Sequence, residues 1–364
     1  MNEMIDKAYE RAKRVLESCS TKQGFFASAG KKGYNAIWAR DSVITSLGAI
    51  LLPEFREVLK RSLVTLSKYQ SKNGQIPNCI DKYSDRKPHI DYLSIDSSLW
   101  YVIGNYVYRK YDNKFFKSNK SSIERALNWL NCQDTGEDNM LVQLPTTDWQ
   151  DAFPHKYGHT INTQALYYKV LNLVGRKRDA EKLKRLVNND EEKGLWNGDY
   201  YLAYRWKNHG KYRELGDWFD SLGNLLAIIF DLADNEKAGK ILAYIRKKKI
   251  NLPYPVVAIY PPIKKGSEYW RDYYLDCDAG KAFHYANAGI WGFVGGFYIL
   301  SLIKLKKFNE AKRELEKLAE LNLRGNFPEW TNPKTKEYFG KLQAWEAGMY
   351  ILSYESLKRR RILI

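Results

Sequence analysis

Cysteine is scarce and scattered. Cys19, Cys79, Cys132 and Cys277 lie far apart and form no C-x-x-C pair, so neither a zinc ribbon nor a thioredoxin-type site is expected. No G-x-G-x-x-G opens a helix after a strand and there is no Walker loop, which argues against nucleotide-driven chemistry. Long apolar runs are missing too. The longest weakly polar stretch, Ala286 to Ile303, is broken by Asn287, four glycines, Tyr298 and Ser301 and falls short of a membrane span. The first seventeen residues carry charges throughout, without an apolar signal core. No Pro/Gly-rich linker divides the chain. These absences predict a soluble cytoplasmic protein with no membrane partner, folded as a single domain over residues 1–364.

Acidic residues are the minority. There are 59 Lys+Arg against 42 Asp+Glu, a net charge of +17. The excess sits in runs such as 177–184, 246–249 and 304–317 and in the tail 358–361, and many of the lysines are interspersed with glutamates. That pattern reads as a solvated surface, so no nucleic-acid partner is expected. Aromatic residues, by contrast, are abundant: 14% of the chain, with 27 Tyr and 11 Trp. That apolar surface is enough to offset the entropy of ordering the chain and excludes disorder.

Apolar spacing at i, i+3, i+4 and i+7 predicts helices over 3–19, 39–51, 55–70, 94–111, 121–132, 160–175, 177–188, 217–232, 235–247, 284–304, 307–320 and 341–357. They are of two kinds. Those at 55–70, 121–132, 177–188, 235–247 and 307–320 are lysine-rich with one apolar stripe. Those including Ser42–Leu52, Leu99–Tyr108, Leu222–Leu232 and Ala288–Leu302 are apolar nearly all round, as buried helices are. The second kind starts near 39, 94, 160, 217, 284 and 341. One buried helix, one surface helix and a loop, repeated six times, predicts an all-α fold, an (α/α)6 barrel with long loops at one mouth.

The segments before the buried helices mix aromatics with carboxylates or amides. They are Ile37-Trp-Ala-Arg-Asp41, Tyr92-Leu-Ser-Ile-Asp96, Thr147-Asp-Trp-Gln-Asp151, Gly216-Asp-Trp-Phe-Asp220, Phe283-His-Tyr-Ala-Asn287 and Phe327-Pro-Glu-Trp330. Any one of them is explained by helix capping and core aromatics. Six at one mouth suit a sugar, whose C–H face stacks on Trp and Tyr while its hydroxyl rim takes planar polar groups. Glycoside hydrolysis needs two carboxyl groups, about 6.5–9.5 Å apart in inverting enzymes. Spacing leaves Asp41, Asp91, Asp96, Asp148, Asp151, Asp217, Asp220 and Glu329 as open candidates. His155 and His159 have ligand-like spacing but sit in a loop, so no metal is expected, and no cofactor either.

The runs Trp38-Ala-Arg-Asp-Ser42, Gly74-Gln-Ile-Pro-Asn78, Ser94-Ile-Asp-Ser-Ser-Leu-Trp100, Asp148-Trp-Gln-Asp-Ala152 and Asn162-Thr-Gln-Ala-Leu-Tyr167 resemble the catalytic domain of glycogen debranching enzymes, the amylo-α-1,6-glucosidases. The later motifs Phe219-Asp-Ser-Leu-Gly-Asn224, His284-Tyr-Ala-Asn-Ala-Gly-Ile-Trp291, Phe327-Pro-Glu-Trp330 and Gly340-Lys-Leu-Gln-Ala-Trp345 resemble the neutral/alkaline invertases. The resemblance implies an (α/α)6 inverting glycosidase acting on a carbohydrate substrate, with Asp151 as general acid and Glu329 as general base. It further implies substrate-binding roles for Trp38, Arg40, Asp41, Asp96, Trp100, Trp149, His159, Gln164, Asp220, His284, Asn287, Trp291, Lys341, Gln343 and Trp345. The acid is expected to be protonated among Trp149, Ala152 and Phe153, and the base to be ionised in a polar loop. An exo-acting α-glucosidase fits best. An invertase-like β-fructofuranosidase, a sugar isomerase or lyase of the same fold, and a non-catalytic sugar-binding protein are the alternatives.

Overall fold

The computed structural model describes residues 2–30, 33–82, 87–276 and 280–364; Cys277 lies outside them. Among the described residues there are thirteen α-helices: α1 (Glu3–Cys19), α2 (Ala39–Ala49), α3 (Arg56–Lys68), α4 (Asp96–Arg109), α5 (Asn113–Ser118), α6 (Lys120–Asn131), α7 (Ile161–Leu173), α8 (Lys177–Asn189), α9 (Ser221–Ile229), α10 (Asn235–Lys247), α11 (Gly292–Lys304), α12 (Phe308–Gly325) and α13 (Ala344–Lys358). None is long and apolar enough to cross a membrane.

Six of these helices make an inner ring. α2 packs on α4, α4 on α7, α7 on α9, α9 on α11, α11 on α13, and α13 back on α2. They are the helices whose sequences are apolar nearly all round, and α2 and α9 are buried at every position. The striped helices lie against this ring: α3 on α2 and α4, α6 on α4, α8 on α7, α12 on α11 and α13, and α1 on α12 and α13. In α8 only Ala180, Leu183 and Val187 are buried, one stripe at helical spacing.

The all-α expectation needs correction. Among the described residues, nine strands form three small antiparallel sheets. β1 (Ile37–Trp38), β2 (Cys79–Asp81) and β3 (His89–Asp91) make one; β4 (His159–Thr160), β5 (Leu202–Asn208), β6 (Lys211–Asp220) and β7 (Ile259–Tyr260) make the second; β8 (Trp330–Thr331) and β9 (Tyr338–Phe339) make the third. The β5–β6 hairpin turns on His209 and Gly210, at φ 49° and 80°, the two positive-φ positions of a tight hairpin turn. Its second strand takes the first residues of the helix predicted at 217–232, which begins after Asp220. There the Asp220 carboxylate accepts from the Gly223 N–H as the N-cap. The helix predicted at 284–304 starts only at Gly292, because Phe283, Tyr285 and Ala288 adopt φ of 64°, 44° and 67° and cannot continue a right-handed helix. The strands lead into inner helices, so the sheets brace the loops at one end of the ring.

The ring closes tightly where α2 meets α13. A Cβ built on Gly348 would lie 2.2 Å from the Thr45 carbonyl oxygen, and one on Gly48 1.8 Å from that of Gly348. Both contacts are with backbone, which cannot rotate away. Gly348→Ala is therefore expected to destabilise the protein by about 2 kcal/mol or more, at the upper end of overpacking costs. Chemical denaturation checks this; an unchanged midpoint would refute the close approach.

Candidate active site

Arg40 and Asp41 occupy the first turn of α2, immediately after Trp38 leaves the sheet by pairing with Cys79. The Arg40 guanidinium donates to both carboxylate oxygens of Asp96, at 2.8 and 3.0 Å, from the first turn of α4. Both side chains are buried. Another guanidinium nitrogen is 3.8 Å from Asp151. Burial alone would make Arg40 easier to deprotonate; Asp96, Asp151 and Asp41 more than offset it, so the group stays charged.

Around this cation lies a cavity of about 210 Å³, lined by Ala27, Tyr34, Trp38, Arg40, Asp41, Trp149, Asp151, Tyr285, Trp291, Glu329, Gln343 and Trp345. Both carboxyl groups singled out from the motifs thus face one space. Asp151 stands between Gln150 and Ala152 in the loop before β4; its side chain is 36% exposed because it opens onto the concave cavity. Glu329 immediately precedes β8, and its N–H donates to the Phe339 carbonyl at 2.8 Å. Gly340, at φ 64°, packs so closely that an added Cβ would be 2.7 Å from the Glu329 Cβ.

The aromatic wall is continuous. Trp149 meets Trp291 edge-on at 5.5 Å, Trp291 meets Trp345 at 5.8 Å, and Phe293 stacks on Trp345 at 4.0 Å. The indole N–H groups of Trp38, Trp149 and Trp345 are buried and have no hydrogen-bond partner among the described residues. A buried donor left unpaired is costly unless a ligand meets it.

Desolvation governs the carboxyl groups. Burial lifts Asp41 to about 7, Arg40 pulling down and Asp151 and Asp96 pushing up. Asp151 rises to about 6, through burial first, with Arg40 opposing and Asp96 and Asp148 adding. Glu329 rises to about 7 through burial, then the charges of Asp41 and Asp151, with a hydrogen bond from Tyr34 acting the other way. The expectation of an ionised Glu329 in a polar loop is thus corrected. The loop is polar in sequence, but the carboxyl group is half-buried and faces two others.

Several residues matched to sugar-binding positions lie outside the cavity lining. Asp96 holds Arg40. Trp100 is buried in the ring against Phe297. His159 stacks on Tyr212 at 5.6 Å and is pushed down to about 4 by burial, Asp138 opposing. Gln164 clamps the Leu141 N–H and carbonyl. Asp220 caps α9. His284 lies edge-on to Trp330 at 4.3 Å, and Asn287 brackets the N–H and carbonyl of Ile263. These side chains shape the loops rather than line the cavity. Lys341 lines an adjoining cleft of about 750 Å³, which shares Tyr34, Glu329 and Gln343 with the cavity. His155 donates to or accepts from the Tyr273 hydroxyl at 2.9 Å, away from the neighbours of His159. Tyr34 and Tyr285 line the cavity without having been singled out; Tyr285 stands in the same Phe283–Asn287 segment as the residues that were.

Because Glu329 is lifted from 4.5 to about 7, its proton favours the folded state. The stability it contributes is complete below 4.5 and is lost as pH rises through 7. Glu329→Gln is therefore expected to raise the melting temperature at pH 8 and to leave it nearly unchanged at pH 4.5. A variant less stable than wild type at pH 8 would contradict the assigned environment.

Residues 10–185 match the family model described as amylo-alpha-1,6-glucosidase, and residues 197–359 match that described as alkaline and neutral invertase. The two resemblances read from the motifs therefore divide the chain between them. A curated relative, the mitochondrial neutral/alkaline invertase 1 of Oryza sativa subsp. japonica, is 24% identical over 318 residues, covering 71% of this chain. The chain spans about half, 50%, of that relative's length. Among solved structures, the mannosylglycerate hydrolase of Thermus thermophilus, in complex with Tris and D-glycerate, superimposes with a TM-score of 0.72 at 12% identity, covering 94% of this chain and 99% of that one. The rhamnosidase of Klebsiella oxytoca with rhamnose bound superimposes with a TM-score of 0.68 at 12% identity, covering 98% and 64%. At these identities the likeness concerns the fold.

Proposed function

We propose that this chain, a glycoside hydrolase of the six-hairpin superfamily, is an inverting, exo-acting enzyme on small α-glucosides or branch stubs, with Asp151 as general acid and Glu329 as general base. One observation carries the reading: Asp151 and Glu329 line the same small aromatic cavity as Arg40, Asp41 and three buried, unpartnered indole N–H donors. A sugar ring stacks its C–H face on such a wall and offers its hydroxyls to Arg40, Asp41 and Gln343, which line it.

The assigned roles require Asp151 protonated and Glu329 ionised; because burial lifts Glu329 to about 7 and Asp151 only to about 6, this is the minor of the two singly protonated forms of the pair in the free protein. In that form Asp151 passes its proton to the glycosidic oxygen as that bond breaks. Glu329 acts in its ionised form, taking a proton from the water that attacks the opposite face of the anomeric carbon. Arg40 keeps its charge and bears on Asp151, Asp41 and Asp96 together. The small volume of the cavity favours a terminal sugar, with the rest of the substrate extending outwards.

A second reading, an invertase-like β-fructofuranosidase, is favoured by the match of residues 197–359 and by the rice relative. A substrate panel separates the two. Proton NMR of isomaltose, a branched dextrin and sucrose is expected to show β-glucose as the first product of an α-1,6-glucoside. Turnover of sucrose alone favours the second reading, release of the non-reducing glucose of the α-1,6-glucoside in the α form excludes inversion, and no turnover of any glycoside sinks the hydrolase assignment. Asp151→Asn and Glu329→Gln should each lower kcat on the active glucoside by at least about 10²-fold, the lower end of general acid–base contributions. Asp151→Asn should retain turnover of α-glucosyl fluoride, whose leaving group needs no proton.

A further inference from the structure

The Lys156 side chain is completely buried, yet it is a cation. Its ammonium group lies 2.9 Å from the Asp148 carboxylate and 2.6 Å from that of Asp220, and donates to the Gln150 side-chain oxygen at 2.5 Å. Burial alone would make it easier to deprotonate; the two carboxylates reverse that and keep it charged. A buried cation matched by two carboxylates is expensive to build and strongly disrupted when one partner is removed. Nothing in the reaction proposed above uses it.

Its position in the chain is informative. Asp148 and Gln150 come just before Asp151, and Lys156 comes five residues after it. The lysine therefore closes the 148–156 segment across its base, with Asp151 between the tethered positions and turned toward the cavity. The same ammonium group ties the segment to Asp220, whose other carboxylate oxygen caps α9 through the Gly223 N–H. Asp148 is held a second way, its carboxylate accepting from the Gln150 N–H at 2.9 Å. The loop thus hangs from the end of an inner-ring helix.

We infer that Lys156 is the positioning residue for the proton donor: it fixes the 148–156 loop to α9, so that the Asp151 carboxyl group meets the glycosidic oxygen and the other cavity groups stay undisturbed. The inference rests on the reading of Asp151 as general acid. Lys156 acts through the loop and touches no substrate. The charged and titratable groups bearing on Asp151 itself are Arg40, Asp41, Asp96, Asp148, Glu329, Tyr34 and Tyr285; all but Asp148 belong to other segments.

The test compares isomaltose, which needs a proton on its leaving group, with α-glucosyl fluoride, which does not. Lys156→Met is expected to lower kcat on isomaltose at least tenfold more than on the fluoride, with KM for isomaltose changed less than threefold. Asp148→Asn, nearly isosteric and able to keep its bond from the Gln150 N–H, should give the same selective loss in a smaller measure and serves where Lys156→Met fails to fold. An equal loss on both substrates in the folded variants would mean a structural role only and overturn the inference. Asp151→Asn run in parallel separates the two failures. If it is not itself selective for the fluoride, the acid assignment falls; if it is selective and the Lys156 and Asp148 variants are not, the positioning role falls.

Discussion

Arg40 is the single cation among the residues that line the cavity, and it faces Asp41 and Asp151 there with Asp96 behind it. A buried guanidinium loses its hydration, and only paired carboxylates in good geometry return that cost. The two short bonds to Asp96 do so, and they also join the first turn of α2 to the first turn of α4. With its charge fixed from behind, Arg40 bears on the carboxyl groups in front. Without it, Asp41, Asp151 and Glu329 would raise one another still further, and the cavity would hold mostly neutral acids at ordinary pH.

The ring supplies the rigidity this needs. Six helices that are apolar on nearly every face can only be buried by one another, so they close on themselves, and their starts gather at one end. Short sheets then restrain the connecting loops: β1 leads straight into the turn carrying Arg40 and Asp41, and β8 follows Glu329 directly. Each carboxyl group is thus attached to a regular element within a few residues, and Asp151, in the longest loop of the three, has the buried Lys156 cluster in place of a strand. Precise placement of a proton donor and acceptor depends on such support.

Charge is divided in the same way. The lysine runs fall on the outer helices and at the C-terminal ends of α11 and α13; α8 buries only a narrow stripe, and α10 carries Arg246 and Lys247 in its last turn. The cavity is acidic and aromatic. The net charge of +17 therefore describes the outer wall and says little about the ligand, for which the Trp and Tyr side chains around Asp151 and Glu329 are the better guide.

The helical periodicity, the alternation of buried and striped helices, and the aromatic–carboxylate segments are local patterns, and each is set by which faces of a helix meet water. From them the ring and its mouth were legible, with Asp41, Asp151 and Glu329 among eight open carboxyl candidates; only the family resemblance singled out Asp151 and Glu329, with Trp38 and Arg40 beside them. The β5–β6 hairpin was also legible in principle, through His209-Gly210 between alternating runs, but the apolar start of α9 masked it. Other features depend on contacts between distant segments. Lys156 looks like any lysine until the fold brings Asp148 and Asp220 to it, the latter 64 residues away. Asp96, His159, Gln164, Asp220 and Asn287 carry the chemistry of a sugar site, yet packing turns them into supports. The same holds for the proton balance: sequence places Glu329 in a polar loop, whereas the burial that lifts it, and the charges of Asp41 and Asp151 that add to it, arise only when distant loops are folded around one cavity.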